Sequence, residues 1–540
     1  MFHTPNSLEL VLSRAVKAHV KGDLQAAKAG YLKVLAKYPN RIDLLNNTAK
    51  VCSQLNQNEE AVAYIGKVLA LTPNDDTALV NSSFMEQRLG SLDSAETKLL
   101  KAIEINPNNF QAFANLTGLL IAKNQPEIAL KAATAAMALN PGSAVASNNL
   151  GTVLTKLGDS TSARTSFETA LILDPNNEEA IFNLGSLEAA SGNSIRAIEI
   201  YEAALKTSHK QEFDMSPRIR YALSYEYLNI GRIGDGWDYY DFGFNGMVPF
   251  EYRRSPNRTF PAPLWQGDDL KDERILVWGE QGVGDEILFM TCLPDLAATG
   301  AQVIVECDYR LVQQVARSFP AFLVRAHQYK KIIGLPPFFE DYDYHIPMGS
   351  LMRIYRRSLS DFQQSGPYLI VSPEKSTEFE TRLSAASTAR KRVGICWRSG
   401  KLDAERNTHY TALTDWGSIF SVPDCDFINL QYGDCEQELV EAENKFGIRI
   451  LRWPDLDLKN NFDSTLALIS RLDVIVSVGT AVSPMAAAVG VRVLLMGGKG
   501  WPNLGSDYYP WFPNIQCIFP LQGGIVAECL SEAADHLANM

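Results

Sequence analysis

The chain has 540 residues, 46% of them hydrophobic and 21% charged, and its 50 basic and 62 acidic side chains give a formal net charge of -12. That length exceeds what one hydrophobic core supports, so about three or four folded domains are expected. The acidic balance argues against nucleic acid as a partner, because binding through phosphates needs clustered Lys and Arg to release counterions.

No stretch approaches the roughly 18 consecutive apolar residues that read as a membrane span, and residues 1–10 hold no basic segment leading into an apolar one. A cytoplasmic protein is expected. Cys52, Cys292, Cys307, Cys396, Cys425, Cys435, Cys517 and Cys529 form neither a CxxC pair nor a Cys/His cluster. Free thiols and no metal site are therefore expected. Cys396 lies in the apolar run 393–397 and reads as a buried structural thiol rather than a nucleophile.

Prolines recur every 34 residues at Pro39, Pro73, Pro107, Pro141 and Pro175. A fixed period of this size defines a solenoid. Twelve residues before each proline stands an alanine (Ala27, Ala61, Ala95, Ala129, Ala163), and Ala197 continues the series. Gly22, Asn56, Gly90, Asn124, Gly158 and Gly192 share the same period. These types tolerate the left-handed turn that ends a helix, so each repeat is predicted as helix, turn, helix.

These marks resemble the tetratricopeptide (TPR) repeat, over about six repeats from residue 8 to residue 211. Asn47, Asn81, Asn115, Asn149 and Asn183 form a further ladder at the same spacing. The resemblance implies that they lie on the first helix of each repeat and face a concave groove, where an amide pairs with a peptide backbone through both donor and acceptor. The O-linked N-acetylglucosamine transferases hold protein substrates with a similar ladder. Two readings stand at this point: an acceptor-protein site, or a residue type common at this TPR position.

After residue 210 the period breaks. A helix is predicted over 220–229, and GDGWDYYDFGF at 234–244 suggests a seventh, irregular repeat. The polar, Pro-interrupted stretch 249–263 is read as a linker, with the arginines of RRSPNR (253–258) expected to be solvated.

The C-terminal portion places apolar runs at 274–278, 302–307, 368–371, 392–397, 425–430, 474–478 and 491–496 between amphipathic stretches, the signature of parallel α/β sheets. The polar stretch 372–390 is read as a lobe boundary. The expected organisation is a repeat superhelix over 1–212, an irregular helical segment and linker over 213–262, and two Rossmann-like lobes over 263–380 and 381–540. In open parallel sheets ligands sit beyond the carboxyl ends of the strands, so the loops there are the candidate sites.

The first such loop, GEQGVGDE at 279–286, lacks the dinucleotide GxGxxG spacing, so nicotinamide is not expected. Asp285 would enter the following helix, either as a cap or as a carboxylate that takes a proton from an incoming hydroxyl. The loop 478–485, VGTAVSPM, opens another helix, and its amides with Thr480 and Ser483 form either an anion site or a plain capped turn. Arg398 and Lys401 follow one strand and Gln431 follows the next; either cation could neutralise phosphate or simply face solvent.

Taken together, LVWGEQGVGDEILFMTCLPDLAATGAQVIVE, VGICWRSG, FINLQYGD and LDVIVSVGTAVSPMAAAVGVRVLLM resemble the heptosyltransferase-like branch of two-lobed (GT-B) glycosyltransferases in its TPR-fused form, from about residue 237 to residue 520. The resemblance implies Asp285 as base. It also implies donor binding around Gly282, Gly284, Arg398, Ser399, Lys401, Gln431, Thr480, Ala481 and Ser483, with no metal and no cofactor beyond the nucleotide sugar. The DxD triplets at 341–343, 424–426 and 455–457 carry no expectation.

Where the family has Asp-Thr with a later His, this chain has Gly479-Thr480 and Pro484. Loss of that acidic residue suits a donor sugar bearing its own carboxylate. The TPR-fused flagellin O-glycosyltransferases are similar, which implies transfer of a nonulosonic, sialic-acid-like sugar from a cytidine monophosphate donor to Ser or Thr of flagellin. The alternatives are a lipid or glycan acceptor, or a non-catalytic TPR adaptor.

Overall fold

The computed structural model describes residues 7–208, 216–246, 248, 253–327, 341–363, 366–387, 389–399, 410–521 and 524–540. The chain forms two compact units, Met1–Ala204 and Leu205–Met540.

The first unit is a solenoid of helix pairs. Its second helices begin at Leu24, Asn58, Leu92, Pro126, Ser160 and Ser194, and from the second repeat on its first helices begin at Ile42, Asp76, Phe110, Ala144 and Glu178. The turn residues all adopt the left-handed conformation, from φ 55° at Asn124 to 82° at Gly158. Two residues after each of the last four prolines, Asp75, Asn109, Ser143 and Asn177 cap the next helix by accepting from the N–H of Ala78, Ala112, Ala146 and Ala180. The recurrent alanines are 0% exposed, because no larger side chain fits where the paired helices touch.

The same packing explains two glycines. A Cβ on Gly151 would lie 2.6 Å from the Phe167 ring, and one on Gly185 would strike the Tyr201 ring. Gly151→Ala gains about 1 kcal/mol of helix propensity but loses about 1–3 kcal/mol to overpacking. A net destabilisation of about 1 kcal/mol is expected in urea unfolding of the full chain, and an increase in stability would refute the tight contact.

The second unit opens with the helical hairpin Ser216–Asn229 and Ile233–Tyr240, closed by a 3-10 turn Asp241–Phe244. It is built into the α/β part: the Trp237 ring packs edge-on against Phe289, Trp501 and Trp511, with centroids 6.4, 6.1 and 6.3 Å away. The arginines after it are not solvated as expected. Arg254 is fully buried, Arg258 nearly so, and Arg253 donates to the Gly246 and Val248 carbonyls, since carboxylates and carbonyls on neighbouring segments draw them inward.

Two parallel sheets follow. The first comprises β1 (Arg274–Trp278), β2 (Gln302–Cys307), β3 (Leu323–Ala326) and β4 (Tyr344–Pro347) in the order β3-β2-β1-β4. The second comprises β5 (Lys391–Cys396), β6 (Cys425–Asn429), β7 (Ile450–Leu451), β8 (Val474–Val478), β9 (Arg492–Met496) and β10 (Ile515–Ile518) in the order β10-β9-β8-β5-β6-β7. The second is the doubly wound 3-2-1-4-5-6 order and the first its four-strand counterpart, so each has a switch point, between β1 and β4 and between β5 and β8. Arg317 pairs with Asp463 at 2.9 Å, and Arg310 donates to the Lys459 carbonyl at 2.9 Å, tying the two layers together.

One further expectation needs correction. The run 368–371 is no strand; the N–H groups of Tyr368 and Leu369 both donate to the Ala488 carbonyl at the end of a helix, which leaves them out of any sheet. The polar stretch 372–390, which falls between the strands of the first sheet and those of the second, is mostly the helix Pro373–Ala386, capped by Ser372 and burying Phe379 and Leu383. After the first loop the helix Val283–Phe289 gives way to a 3-10 turn, and Pro294 stands in the first turn of the short helix Leu293–Ala297.

Candidate active site

The loop after β1 is held in an uncommon shape. Gln281 takes φ 63°, a conformation costing about 1–2 kcal/mol for a residue with a side chain. Its N–H donates to the Ser255 carbonyl at 2.7 Å, which helps hold it there. Gly279 must lack a side chain, since a Cβ would run into His327 and sit 2.6 Å from Glu286. Glu286 is buried beneath it, accepting from the Asp308 N–H at 2.9 Å and meeting His327 Nε2 at 2.6 Å.

Asp285 is the third residue of the helix, and its Oδ2 accepts from the Gly282 N–H at 3.2 Å. It keeps partial contact with solvent at the loop's rim, yet protein surrounds it closely enough to push its carboxyl up from 3.8 to about 6. Desolvation is the main cause; the negative charges of Glu280 and Glu286 add to it and the Gly282 N–H opposes it. Such a group is largely ionised at neutral pH and still basic enough to accept a proton.

The loop after β8 lies against this one. A Cβ on Gly284 would be 3.6 Å from Ala481 Cα and 3.9 Å from Pro484 Cγ. Gly284 is thus brought against Ala481 and Pro484 from the carboxyl ends of both sheets, with Asp285 and Thr480 as their chain neighbours. Gly479 is exposed and Thr480 half-buried, its hydroxyl 3.5 Å from Cys396 Sγ and 3.4 Å from Ser477 Oγ. Ser483 is buried, and its hydroxyl donates to the Val478 carbonyl at 3.3 Å, shaping the turn rather than facing outward.

The loops after β5 and β6 join at Cys396, whose thiol also approaches Gln431 Oε1 at 3.6 Å. Gln431 is 1% exposed and acts as a clamp: its Oε1 accepts from the N–H groups of Trp397 and Arg398 at 3.2 and 3.1 Å. Arg398 is committed to Glu438, with Nε 3.0 Å from each carboxylate oxygen, and also donates to the Asp434 carbonyl at 2.8 Å. Its charge is therefore already balanced by protein. Ser399 is half-buried beside it, and Lys401 lies outside the described residues.

A cavity of about 620 Å³ opens between the loops after β6 and β7. Tyr432 and Trp453 give it ring surfaces, and Asp434, Glu436, Arg452 and Lys459 give it charge. Trp453 and Arg452 were missed in the sequence because β7 has only two residues and leaves no readable apolar run, and Glu438, on the helix after β6, was missed because its pairing with Arg398 is long-range. Arg254 and Glu280 were missed because nothing local marks a surface-type residue for burial.

In the solenoid, the asparagine ladder runs along consecutive first helices and is partly satisfied internally. Asn149 donates to the Ala114 carbonyl of the preceding repeat at 3.2 Å, Asn183 donates to Asn148 Oδ1 at 3.0 Å, and Asn115 accepts from Gln111 at 2.8 Å. The side chains of Asn47 and Asn81 make no hydrogen bond among the described residues.

The DxD carboxylates are used structurally: Asp341 pairs with Arg325, Asp343 with Arg274 and Asp455 with Arg382, while Asp426 accepts from Ser387. Among the described residues no cluster of three or more His, Cys, Asp or Glu could hold a metal ion. The eight cysteines are free, and no described helix is long and apolar enough to cross a membrane.

Residues 42–75, 119–178 and 148–212 match the tetratricopeptide repeat family. Protein FlbA of Caulobacter vibrioides (strain ATCC 19089 / CIP 103742 / CB 15) is 30% identical over 332 residues, covering 59% of this chain and 55% of FlbA. The chain thus spans about half the length of that curated relative. Among solved structures, a tetratricopeptide repeat protein from Parabacteroides merdae ATCC 43184 is 17% identical with a TM-score of 0.37, covering 45% of this chain and 92% of its own. A thermophilic TPR protein of Thermus thermophilus is 22% identical with a TM-score of 0.32, covering 34% of this chain and 98% of its own.

Proposed function

We propose that this chain is a protein O-glycosyltransferase, in which the repeat solenoid docks a protein acceptor and the two-sheet unit transfers a sugar from a nucleotide donor. The observation that carries the proposal is the approach of Gly284 to Ala481 and Pro484, which sets a carboxylate of raised proton affinity beside a helix-opening Thr480 loop at two switch points. Asp285 takes the acceptor hydroxyl proton, and the backbone amides of the Thr480 loop receive the leaving phosphate. The 620 Å³ cavity beside Tyr432 and Trp453 has room for a nucleoside. Gln431, Ser483 and Arg398 serve this site by fixing the shape of its loops.

The finer reading is a cytidine monophosphate-linked nonulosonic sugar as donor and flagellin Ser or Thr as acceptor. It rests on the motif resemblance together with the neutral Gly479 and Pro484, which leave room for a donor carboxylate. To test it, the purified full chain is incubated with flagellin and a cytidine monophosphate-linked nonulosonic acid, and intact mass is recorded. A mass increment of one sugar residue per modified site is expected. An unchanged flagellin mass, together with thermal stabilisation by uridine, adenosine or guanosine diphosphates but not by cytidine monophosphate, would refute the donor class.

A further inference from the structure

The hairpin Ser216–Tyr240 precedes β1 and follows no strand of either sheet, yet its end reaches the loop that carries Asp285. The node is Arg254, 0% exposed. Its Nε donates to Glu280 Oε2 at 2.6 Å, one terminal nitrogen donates to Glu280 Oε1, and the other to Asp241 Oδ1 at 2.6 Å. Ser350 Oγ lies 3.3 Å from both terminal nitrogens. The rings of Tyr240 and Phe244 cover the guanidinium at 4.1 and 4.2 Å. Glu280, itself 0% exposed, also accepts from the Gly349 N–H at 3.0 Å.

Four segments therefore meet at one ion pair: the hairpin end, the segment after it, the loop after β1 and the turn after β4. A buried ion pair adds little net stability over apolar or neutral groups of like volume, because desolvation offsets the attraction. What it adds is direction. The guanidinium fork fixes a carboxylate in two dimensions. Glu280 is followed directly by Gln281 in its left-handed conformation, whose side chain reaches the hairpin's Tyr221 hydroxyl at 3.4 Å.

We infer that Arg254 is a positioning residue, clamping Glu280 so that the loop 279–285 keeps the shape that seats Gly284 against Ala481 and Pro484 with Asp285 next to it in the chain. This rests on the reading of Asp285 as the base. Arg254 touches no substrate; it makes the helical hairpin a working part of the two-sheet unit.

The test compares the full-length wild type, the double variant Arg254→Met with Glu280→Gln, and Asp285→Asn. The double variant removes both fully buried charges together, keeps an acceptor for the Gly349 N–H and leaves the part-exposed Asp241 its Ser350 hydroxyl donor, so its melting temperature should stay near that of the wild type. Its kcat is expected to fall about 10- to 100-fold with the donor KM within about twofold, as misplacement of a reacting group does. Hydrogen exchange should rise in 279–289 while 482–488 stays protected. Wild-type kcat and exchange in the double variant would overturn the inference, and so would a parallel rise in exchange across both sheets, which marks a merely structural role. If Asp285→Asn transfers at the wild-type rate, the base reading fails instead, and the exchange pattern still decides whether Arg254 holds the loop.

Discussion

Asp285→Asn is expected to lower transfer about 10²- to 10⁴-fold while leaving capture of the acceptor protein unchanged, measured by turnover assay and by pull-down with the full chain. The wild-type rate should fall as pH drops through about 6, where the carboxylate becomes protonated. Stability moves the other way. Because the folded carboxyl binds its proton more tightly than the ordinary value of 3.8, its contribution to stability is present below that value and lost as pH rises through about 6. The variant should thus be more stable than the wild type at pH 7.5, by about 1 kcal/mol once partial solvent access is discounted, with the advantage vanishing below pH 4. A variant that is inactive and also less stable at pH 7.5 would point to structural damage instead of a lost base.

Gln431→Leu is the second substitution expected to have a large effect. The replacement has similar volume, but it leaves the N–H groups of Trp397 and Arg398 without their acceptor in a site that water does not reach. Each unsatisfied donor costs about 1–3 kcal/mol, so a loss of about 2–4 kcal/mol is expected in denaturant unfolding. The loop after β5 borders the switch point, so affinity for cytidine monophosphate should weaken at least about tenfold by calorimetry. Gln431→Glu, which keeps an acceptor oxygen, should recover part of the stability. Unaltered nucleotide affinity in Gln431→Leu would mean that this loop does not border the donor.

The solenoid was legible because its rules are local and repeated. A left-handed turn, a close helix contact and a cap each demand a residue type, and the demand returns every 34 residues at Gly158, Ala163 and Asn177 as it does at Gly90, Ala95 and Asn109. Strands β1, β2, β5, β6, β8 and β9 were legible as apolar runs that are buried on both faces. The short strands were not: β3 is partly exposed along its length and β7 has two residues, so neither leaves a pattern.

The candidate site divides in the same way. Asp285 and Thr480 were visible because glycine-rich loops between an apolar run and a helix announce themselves. Their partners were hidden by long-range pairing. The sequence marks Arg398 as a cation but not its neutralisation by Glu438, 40 residues later, and it marks Arg254 as a polar linker residue when Glu280 and Asp241 take it inside. The resemblance to two-lobed glycosyltransferases supplied the chemistry; the geometry supplied the supporting shell.

Gly151 and Phe167 belong to the same repeat, as do Gly185 and Tyr201, so in these two repeats the fit of small against large is solved inside the helix pair. A duplicated or deleted repeat would carry its own complementary surfaces with it. The length of the solenoid can consequently change over evolution in whole steps, with no new small-against-large fit to be found inside such pairs.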